Sequence, residues 1–173
     1  VPTDNSPLRS GKGYAYEGGI RVPAIVSWPG VLPAGVESDQ PISSVDYLPT
    51  ICEATNTGLP NDRAIDGVSL LPHLKSSGKK RLDRQAIFWH FPHDRHAPGP
   101  YSIVRSGKWK LIRWYEGQVE LYNLENDLGE TNNLVREESE KAAELDAMLS
   151  KELARIGAKL PRPNPAFANN AKK

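Results

Sequence analysis

The sequence predicts an α/β protein in two parts: a first part of strand and helix, and a second part in which an antiparallel sheet is covered by one helix. Three observations support this. A continuous apolar run stands near the start, residues 87–124 alternate with a period of two, and residues 137–156 carry an apolar helical stripe. We therefore predict one part over residues 1–84, a second over residues 85–157, and a mobile tail over residues 158–173.

The first part begins with a loop rich in glycine and polar residues, which extends to about residue 22. The run Val22–Trp28 is β-branched and almost continuously apolar, as in a strand buried on both faces, and Pro29-Gly30 ends it. A short core strand is therefore predicted there.

A helix is predicted over Ser43–Thr55, because apolar residues recur there at helical spacing. These residues are Val45, Leu48, Ile51 and Cys52. Residues 56–84 are mostly polar or turn-forming, so we place the boundary between the two parts within this connector.

The second part is predicted to be a four-stranded meander with a helix on one face. Its alternating runs are Ile87–Phe91, Tyr101–Arg105, Lys108–Tyr115 and Val119–Leu124, with glycine turns between the last three. The covering helix is Glu137–Ile156, with Leu145, Met148, Leu149, Leu153 and Ile156 along one stripe. Four strands and one helix suffice for a small core.

Composition excludes several classes of protein. The 22 basic and 21 acidic residues give a net charge of +1, which argues against nucleic-acid binding and against an anionic membrane surface as partner. No run reaches the roughly 18 apolar residues of a membrane span. The one cysteine, Cys52, excludes an internal disulfide and a cysteine-based zinc site, and on its helix it is predicted to be a core residue.

The strongest local candidate for chemistry is Lys12, which stands between Gly11 and Gly13. A lysine there can present a compact positive charge to an oxyanion, while glycine backbone comes close to the same ligand. The alternative is a solvated lysine in a turn. Downstream, Glu17 and Arg21 flank Gly18-Gly19 and suggest an ion pair that braces the loop.

A second candidate is the histidine cluster of residues 90–96, in which His90, His93 and His96 lie around Pro92. The spacing does not fit a helical metal-binding pair, but imidazole, carboxylate and guanidinium groups suit the polar rim of a sugar or anion site. A loop whose histidines bond backbone groups remains the alternative.

Asp4-Asn5 offers two oxygen ligands for calcium, which are too few for a site, and this step is typical of a turn. No metal site is therefore predicted in this chain.

Several short motifs follow one another along residues 6–135. They are Pro7–Gly13, Tyr16–Pro23, Trp28–Gly30, Asp46–Thr50, Asp66–Leu70, Gly107–Ile112, Glu120–Leu124, Gly129-Glu130 and Asn132–Leu134. In this order they resemble the sulfatase family, and most closely its bacterial arylsulfatase A type, which includes enzymes acting on sulfated glycans.

The resemblance implies a sulfuric ester hydrolase, with residues 1–84 at the end of an alkaline-phosphatase-like catalytic domain and residues 85–157 as its C-terminal subdomain. In that family a cysteine in a Cys/Ser-x-Pro-x-Arg motif becomes formylglycine, and calcium holds the sulfate. Cys52 is followed by Glu53-Ala54-Thr55-Asn56, so the motif is absent there. We therefore expect the nucleophile and the calcium ligands upstream of Val1, and no activity of this chain alone.

By the same resemblance, Lys12 matches the family's sulfate-binding catalytic lysine, with Glu17 and Arg21 as support for its loop. His93 and His90 correspond to positions that border the substrate pocket. The expected partner is a sulfated small molecule or glycan, and the expected location is the periplasm or the cell exterior. The oligomeric state stays open.

Two other functions remain open at this point. A phosphate or phosphonate ester hydrolase of the same superfamily would share the fold. A non-catalytic glycan-binding module would need only the sheet and helix of residues 86–156.

Overall fold

The computed structural model describes residues 4–94 and 99–162. Its elements in chain order are α1 (Glu17–Ile20), a 3-10 turn (Ser44–Asp46), α2 (Tyr47–Ala54), α3 (Leu71–Lys75), β1 (Ile87–Phe91), β2 (Tyr101–Ser106), β3 (Trp109–Trp114), β4 (Val119–Asn123) and α4 (Ser139–Arg155). They form two compact units. Among the described residues, one unit contains those from residue 4 to Val22 and those from Ala86 on, and the other is Pro23–Gln85.

The four strands form one antiparallel sheet in the order β1-β2-β3-β4. The register pairs Val104 with Leu111, and Leu111 with Leu121, so these three side chains share one face. This confirms the predicted meander and its covering helix, with strand ends within two residues of their predicted positions.

One face of the sheet, called here the helix face, packs against α4. Its core combines Val104, Leu111 and Leu121 with Leu145 and Leu149 of the helix. The predicted stripe of α4 is therefore correct at its centre. Ile156 lies beyond the helix and is 48% exposed, because the helix ends at Arg155.

The opposite face, called here the loop face, packs against the N-terminal segment. Ala15 and Tyr16 contribute to a core with Ile103, Ile112 and Trp114 of the sheet. Both faces of the sheet are therefore covered, one by a helix and the other by the loop that contains Lys12. Residues 4–22 consequently belong to the same compact unit as the sheet. As a division of the longer protein, the boundary at residues 84 and 85 stays a prediction.

The second unit is organised around Asp46, which is fully buried. Its carboxylate accepts the backbone N–H groups of Ser43 (2.7 Å) and Val68 (3.0 Å) and forms an ion pair with Arg84 (2.7 Å). One carboxylate thus joins the start of the helical segment to two stretches of the connector.

The predicted core strand Val22–Trp28 is wrong. The segment forms no strand, and Val22 and Ile25 are 79% and 95% exposed. A strand needs a neighbour for its backbone N–H and C=O groups, and the described part of the chain provides none beside these residues.

The helix predicted over Ser43–Thr55 is present as the 3-10 turn and α2, but three of its four apolar residues are not buried. Val45, Leu48 and Ile51 are exposed, whereas Cys52 is buried as predicted. Helical spacing shows which residues share a face, but not whether other residues cover that face. Among the described residues, no helix is long and apolar enough to span a membrane.

The predicted mobile tail, residues 158–173, lies outside the described residues from residue 163 on.

Candidate functional site

Lys12 lies at the tip of a tight turn. The backbone N–H of Tyr14 donates to the carbonyl oxygen of Gly11 (3.1 Å), and Gly13 has a φ of +99°. Glycine reaches such an angle without steric cost, so the turn favours glycine after the lysine. The Lys12 side chain is exposed, and no hydrogen bond or ion pair joins its ammonium group to another described residue. An external anion can therefore approach it.

The two glycines of α1 bring this turn against the helix. The N–H of Gly18 donates to the carbonyl oxygen of Arg9 (2.9 Å). A Cβ atom on Gly18 would overlap the carbonyl oxygens of Arg9 and Ser10, and one on Gly19 would overlap that of Tyr14. The Gly18-Gly19 pair is therefore required for close backbone packing around the lysine.

Asn5 braces the same loop from its other side. Its side-chain amide donates to the carbonyl oxygens of Ser10 (3.1 Å) and Gly18 (3.3 Å). The Asp4-Asn5 step thus has a structural part in the loop, in keeping with the turn chemistry predicted for it.

Arg9 anchors the loop to the loop face of the sheet. Its guanidinium lies over the ring of Tyr16, 3.7 Å from the centroid, and donates to the Tyr122 hydroxyl (3.1 Å) and to the Glu130 carbonyl oxygen (2.7 Å). A planar guanidinium suits such combined stacking and hydrogen bonding better than an ammonium group.

A second anchor is a buried ionic cluster around Lys110 of β3. Its ammonium nitrogen lies 3.0 Å from Oε1 of Glu17 and 2.7 Å from Oε1 of Glu130, and all three side chains are at most 1% exposed. Glu130 Oε2 also accepts the backbone N–H of Glu17 (2.6 Å). The Arg105 guanidinium approaches Oε2 of Glu17 at 3.4 Å. Two carboxylates and two cations thus balance within the cluster.

Burial dominates the electrostatics of this cluster. It raises the pKa of the Glu130 carboxyl, although the Lys110 ammonium acts in the opposite direction. Burial likewise lowers the pKa of Arg105, against the attraction of Glu17. Tyr16, beside Arg9, has its pKa raised to about 12, mainly by burial and then by Glu120. Each shift favours the neutral form, as expected of groups removed from water.

Lys12, Glu17 and Arg21 lie in the same short segment of the chain, residues 12–21. Glu17 is buried, but its main ionic partner is Lys110. Arg21 is 42% exposed on its side chain and lies 3.8 Å from Glu17. The support role predicted for Glu17 and Arg21 stays a prediction, and the contacts give Glu17 the larger share of it.

His90 lies on the helix face of the sheet, opposite to the Lys12 loop. Its Nδ1 is 2.8 Å from the Ser102 hydroxyl, which is 2.8 Å from the Tyr115 hydroxyl, and its Nε2 is 3.1 Å from the Lys159 carbonyl oxygen. A carbonyl only accepts, so Nε2 carries the proton and, in the neutral ring, Nδ1 accepts from Ser102. The structure does not bring His90 to Lys12.

His93 follows β1 and is exposed. Its ring meets that of Phe91 edge-on at 5.2 Å, and Phe91 stacks on Tyr101 at 5.4 Å, within the loop-face core. His93 therefore lies beside the face that holds Lys12. The neighbouring residues 95–98, which include His96, lie outside the described residues.

Metal-binding residues do not cluster in the described parts of the chain. There, no group of three or more His, Cys, Asp or Glu side chains could hold a metal ion. Cys52 is buried and lies in the second unit. The residues present do not fit a calcium site, and no nucleophilic cysteine is exposed among them.

Sequence reasoning did not identify Arg9, Lys110 and Glu130 as parts of the site. One signal was present. Lys110 alternates with Ile112 and Trp114 on the side of β3 that faces a core, and a charge at such a position requires a buried partner. Nothing in the local sequence shows that its partners are Glu17 and Glu130.

A family model and several known proteins match this chain over most of its length. The family model described as N-sulphoglucosamine sulphohydrolase, C-terminal, matches residues 10–159. A sulfatase of Formosa agariphila is 37% identical over 99% of this chain and 33% of its own length. Arylsulfatase A of Bos taurus is 34% identical over 84% of this chain and 32% of its own length. The chain thus spans about a third of the length of these relatives.

Solved structures show the same likeness. Ps i-CgsB, crystallised with the oligosaccharide k-i-k-neocarrahexaose, superposes with a TM-score of 0.74 at 26% identity, over 86% of this chain and 32% of that one. BT4656, solved with its substrate D-glucosamine-2-N,6-O-disulfate, has a TM-score of 0.64 at 28% identity, over 78% and 28%. The neighbouring folds are those of alkaline-phosphatase-like sulfatases.

Proposed function

Because the chain belongs to the sulfatase family, we propose that it is the C-terminal part of a sulfate ester hydrolase and supplies the lysine that binds the sulfate group. The observation that carries the proposal is the geometry of Lys12. Its exposed ammonium group stands at the tip of a glycine turn. On one side of the turn Arg9 donates to Tyr122 of β4, and on the other side Glu17 accepts from Lys110 of β3.

Lys12 would act by electrostatic stabilisation. An ammonium group offers three N–H donors and a fixed positive charge, so it can bind a sulfate oxygen and stabilise the negative charge that grows as the S–O bond breaks. A rigid turn helps, because a charge already in place needs little reorganisation when the reaction occurs. Glu17 and Arg21 would keep the turn in place from within its own segment.

The nucleophile and the metal would come from other parts of a longer protein. Cys52 is buried outside the family's formylglycine motif, and the described residues hold no group of metal ligands. The exposed apolar residues of the Val22–Trp28 segment also suit a surface that the rest of such a protein covers. We therefore assign calcium and formylglycine to that remaining part, and we expect no turnover from these 173 residues alone.

The proposed substrate is a sulfated glycan or an aryl sulfate. Two structural neighbours were solved with a carbohydrate or a sulfated glucosamine bound. On this chain His93, beside Phe91 and on the side of Lys12, is the better placed of the two predicted contact residues. His90 would reach substrate only from the opposite face of the sheet. A periplasmic or secreted location remains the family-based proposal.

The test is the rate of sulfate ester hydrolysis by the full-length protein, with 4-nitrophenyl sulfate as the substrate. Lys12→Ala should lower kcat/KM by about 10²-fold, the scale of a lost oxyanion donor. Lys108→Ala is the matched control, because Lys108 is also an exposed lysine in a turn, where it contacts exposed Glu125 and the ring of Trp109. Full activity of Lys12→Ala, or robust turnover by the isolated 173-residue chain, would overturn the proposal.

A further inference from the structure

We propose that Glu130, together with Lys110, is a positioning residue that holds Lys12 in place from outside its own loop. This inference rests on the sulfate-binding role proposed for Lys12. It concerns a carboxylate from the segment after β4, far from the glycine loop in sequence, and it gives that carboxylate a part in turnover.

Glu130 contacts the Lys12 segment on both sides of the lysine. Its backbone carbonyl oxygen accepts from Arg9 (2.7 Å), three residues before Lys12. Its carboxylate oxygen Oε2 accepts the backbone N–H of Glu17 (2.6 Å), five residues after Lys12. One residue therefore fixes the distance between the two ends of the turn. A displacement of either contact would move the ammonium group.

The backbone of Glu130 indicates that its side chain is needed. The residue has a φ of +51°, in the left-handed region that favours glycine. Gly129, which has the freedom to adopt that angle, stands one position earlier. A residue other than glycine in this backbone conformation is more readily explained by the contacts that its side chain makes than by the needs of the turn.

Lys110 makes the arrangement stiff. It extends from the middle of β3, in register with Arg105 of β2 and Tyr122 of β4, so the three side chains share the loop face. Its ammonium nitrogen bridges the carboxylates of Glu17 and Glu130 and is fully buried. Rotation of the Glu130 carboxylate would leave its charge without Lys110 and away from water, which is unfavourable. The sheet thereby fixes the position of the turn.

The experiment compares three single-residue variants of the full-length protein by hydrogen exchange and by kinetics. Glu130→Gly suits the backbone angle but removes the carboxylate, whereas Glu130→Gln keeps an oxygen that can accept the Glu17 N–H. Asn56→Gly is the matched control, because exposed Asn56 has the same φ of +51° in the other unit. Exchange is followed in residues 9–20, and in β2 to β4 as an internal reference.

For Glu130→Gly we expect hydrogen exchange in residues 9–20 to accelerate by about tenfold or more, because the turn opens more often and opened backbone amides exchange with water. The exchange rates of the sheet should stay unchanged. We expect kcat to fall by about 10²-fold, the effect of a displacement near 1 Å. Glu130→Gln should recover part of both effects, and Asn56→Gly should change neither. If Glu130→Gly does not fold, the Gln variant carries the same test with smaller changes.

Normal exchange in residues 9–20 together with normal kcat in both Glu130 variants would overturn the inference. A loss of kcat with unchanged exchange would also overturn it, since Glu130 would then not act through the turn. Lys12→Ala separates the two proposals. Loss of activity with normal exchange is expected, and full activity of that variant would contradict the role of Lys12 while the exchange data would still report on Glu130.

Discussion

The carboxylate of Glu130 accepts the backbone N–H of Glu17 across 2.6 Å, although 113 residues separate the two in sequence. This contact joins the glycine loop at one end of the chain to the segment that follows the last strand. The loop that presents Lys12 is therefore held in place by the segment after β4, together with Lys110 of the sheet, and its geometry depends on residues that the loop does not contain.

The close backbone packing around Lys12 predicts that Gly19→Ala is destabilising. The new Cβ atom would overlap the carbonyl oxygen of Tyr14, and the backbone would have to move. We expect a loss of about 2 kcal/mol in the free energy of unfolding, the usual range for overpacking. Gly58→Ala is the control, because nothing lies within 4 Å of its Cβ position. Equal midpoints of thermal unfolding for the two variants would contradict this packing.

The buried ion pair of the second unit predicts a large effect of Asp46→Asn. The substitution preserves shape but leaves Arg84, 13% exposed on its side chain, without its charge partner. Breaking a buried pair costs about 3 kcal/mol or more. Asp62→Asn removes an exposed partner of Arg63 and should cost far less, because water screens an exposed ion pair. Denaturant unfolding measures both, and similar losses would show that Asp46 is not the centre of this unit.

The two histidines should separate by kinetics. His93→Ala is expected to raise the KM for a sulfated glycan by about tenfold, the loss of one good polar contact. His90→Ala should leave KM unchanged and lower the thermal midpoint, because both ring nitrogens bond to groups on the helix face. The reverse pattern, a raised KM only for His90→Ala, would place the substrate on the other side of the sheet.

Local patterns predicted the parts of the fold that depend on local features. Period-two alternation and the turns between the runs identified all four strands, because both signals are contained in the local sequence. The glycines around Lys12 indicated its turn for the same reason. Val22–Trp28 was mispredicted as a strand, because pairing requires a neighbour that its sequence cannot specify. The Lys110 cluster was missed because its partners, Glu17 and Glu130, are distant in the chain.

The raised pKa of Glu130 predicts the sign of a pH effect. Because burial raises the pKa of this carboxyl above its ordinary value of 4.5, ionisation in the folded state is costly. The contribution of Glu130 to stability is therefore fully present below pH 4.5 and declines as the pH rises through the folded pKa. The free energy of unfolding of the unchanged protein should fall relative to that of Glu130→Gln over this range. A relative increase would mean that the folded pKa is lowered.

The most direct test of the central claim is a crystal structure of the full-length protein with a bound sulfate ester analogue. The quantity to measure is the distance from Lys12 Nζ to the nearest sulfate oxygen. The account predicts a charge-assisted hydrogen bond of about 2.7–2.9 Å. A sulfate group bound in the active site with Lys12 Nζ beyond roughly 6 Å, outside direct contact, would contradict it.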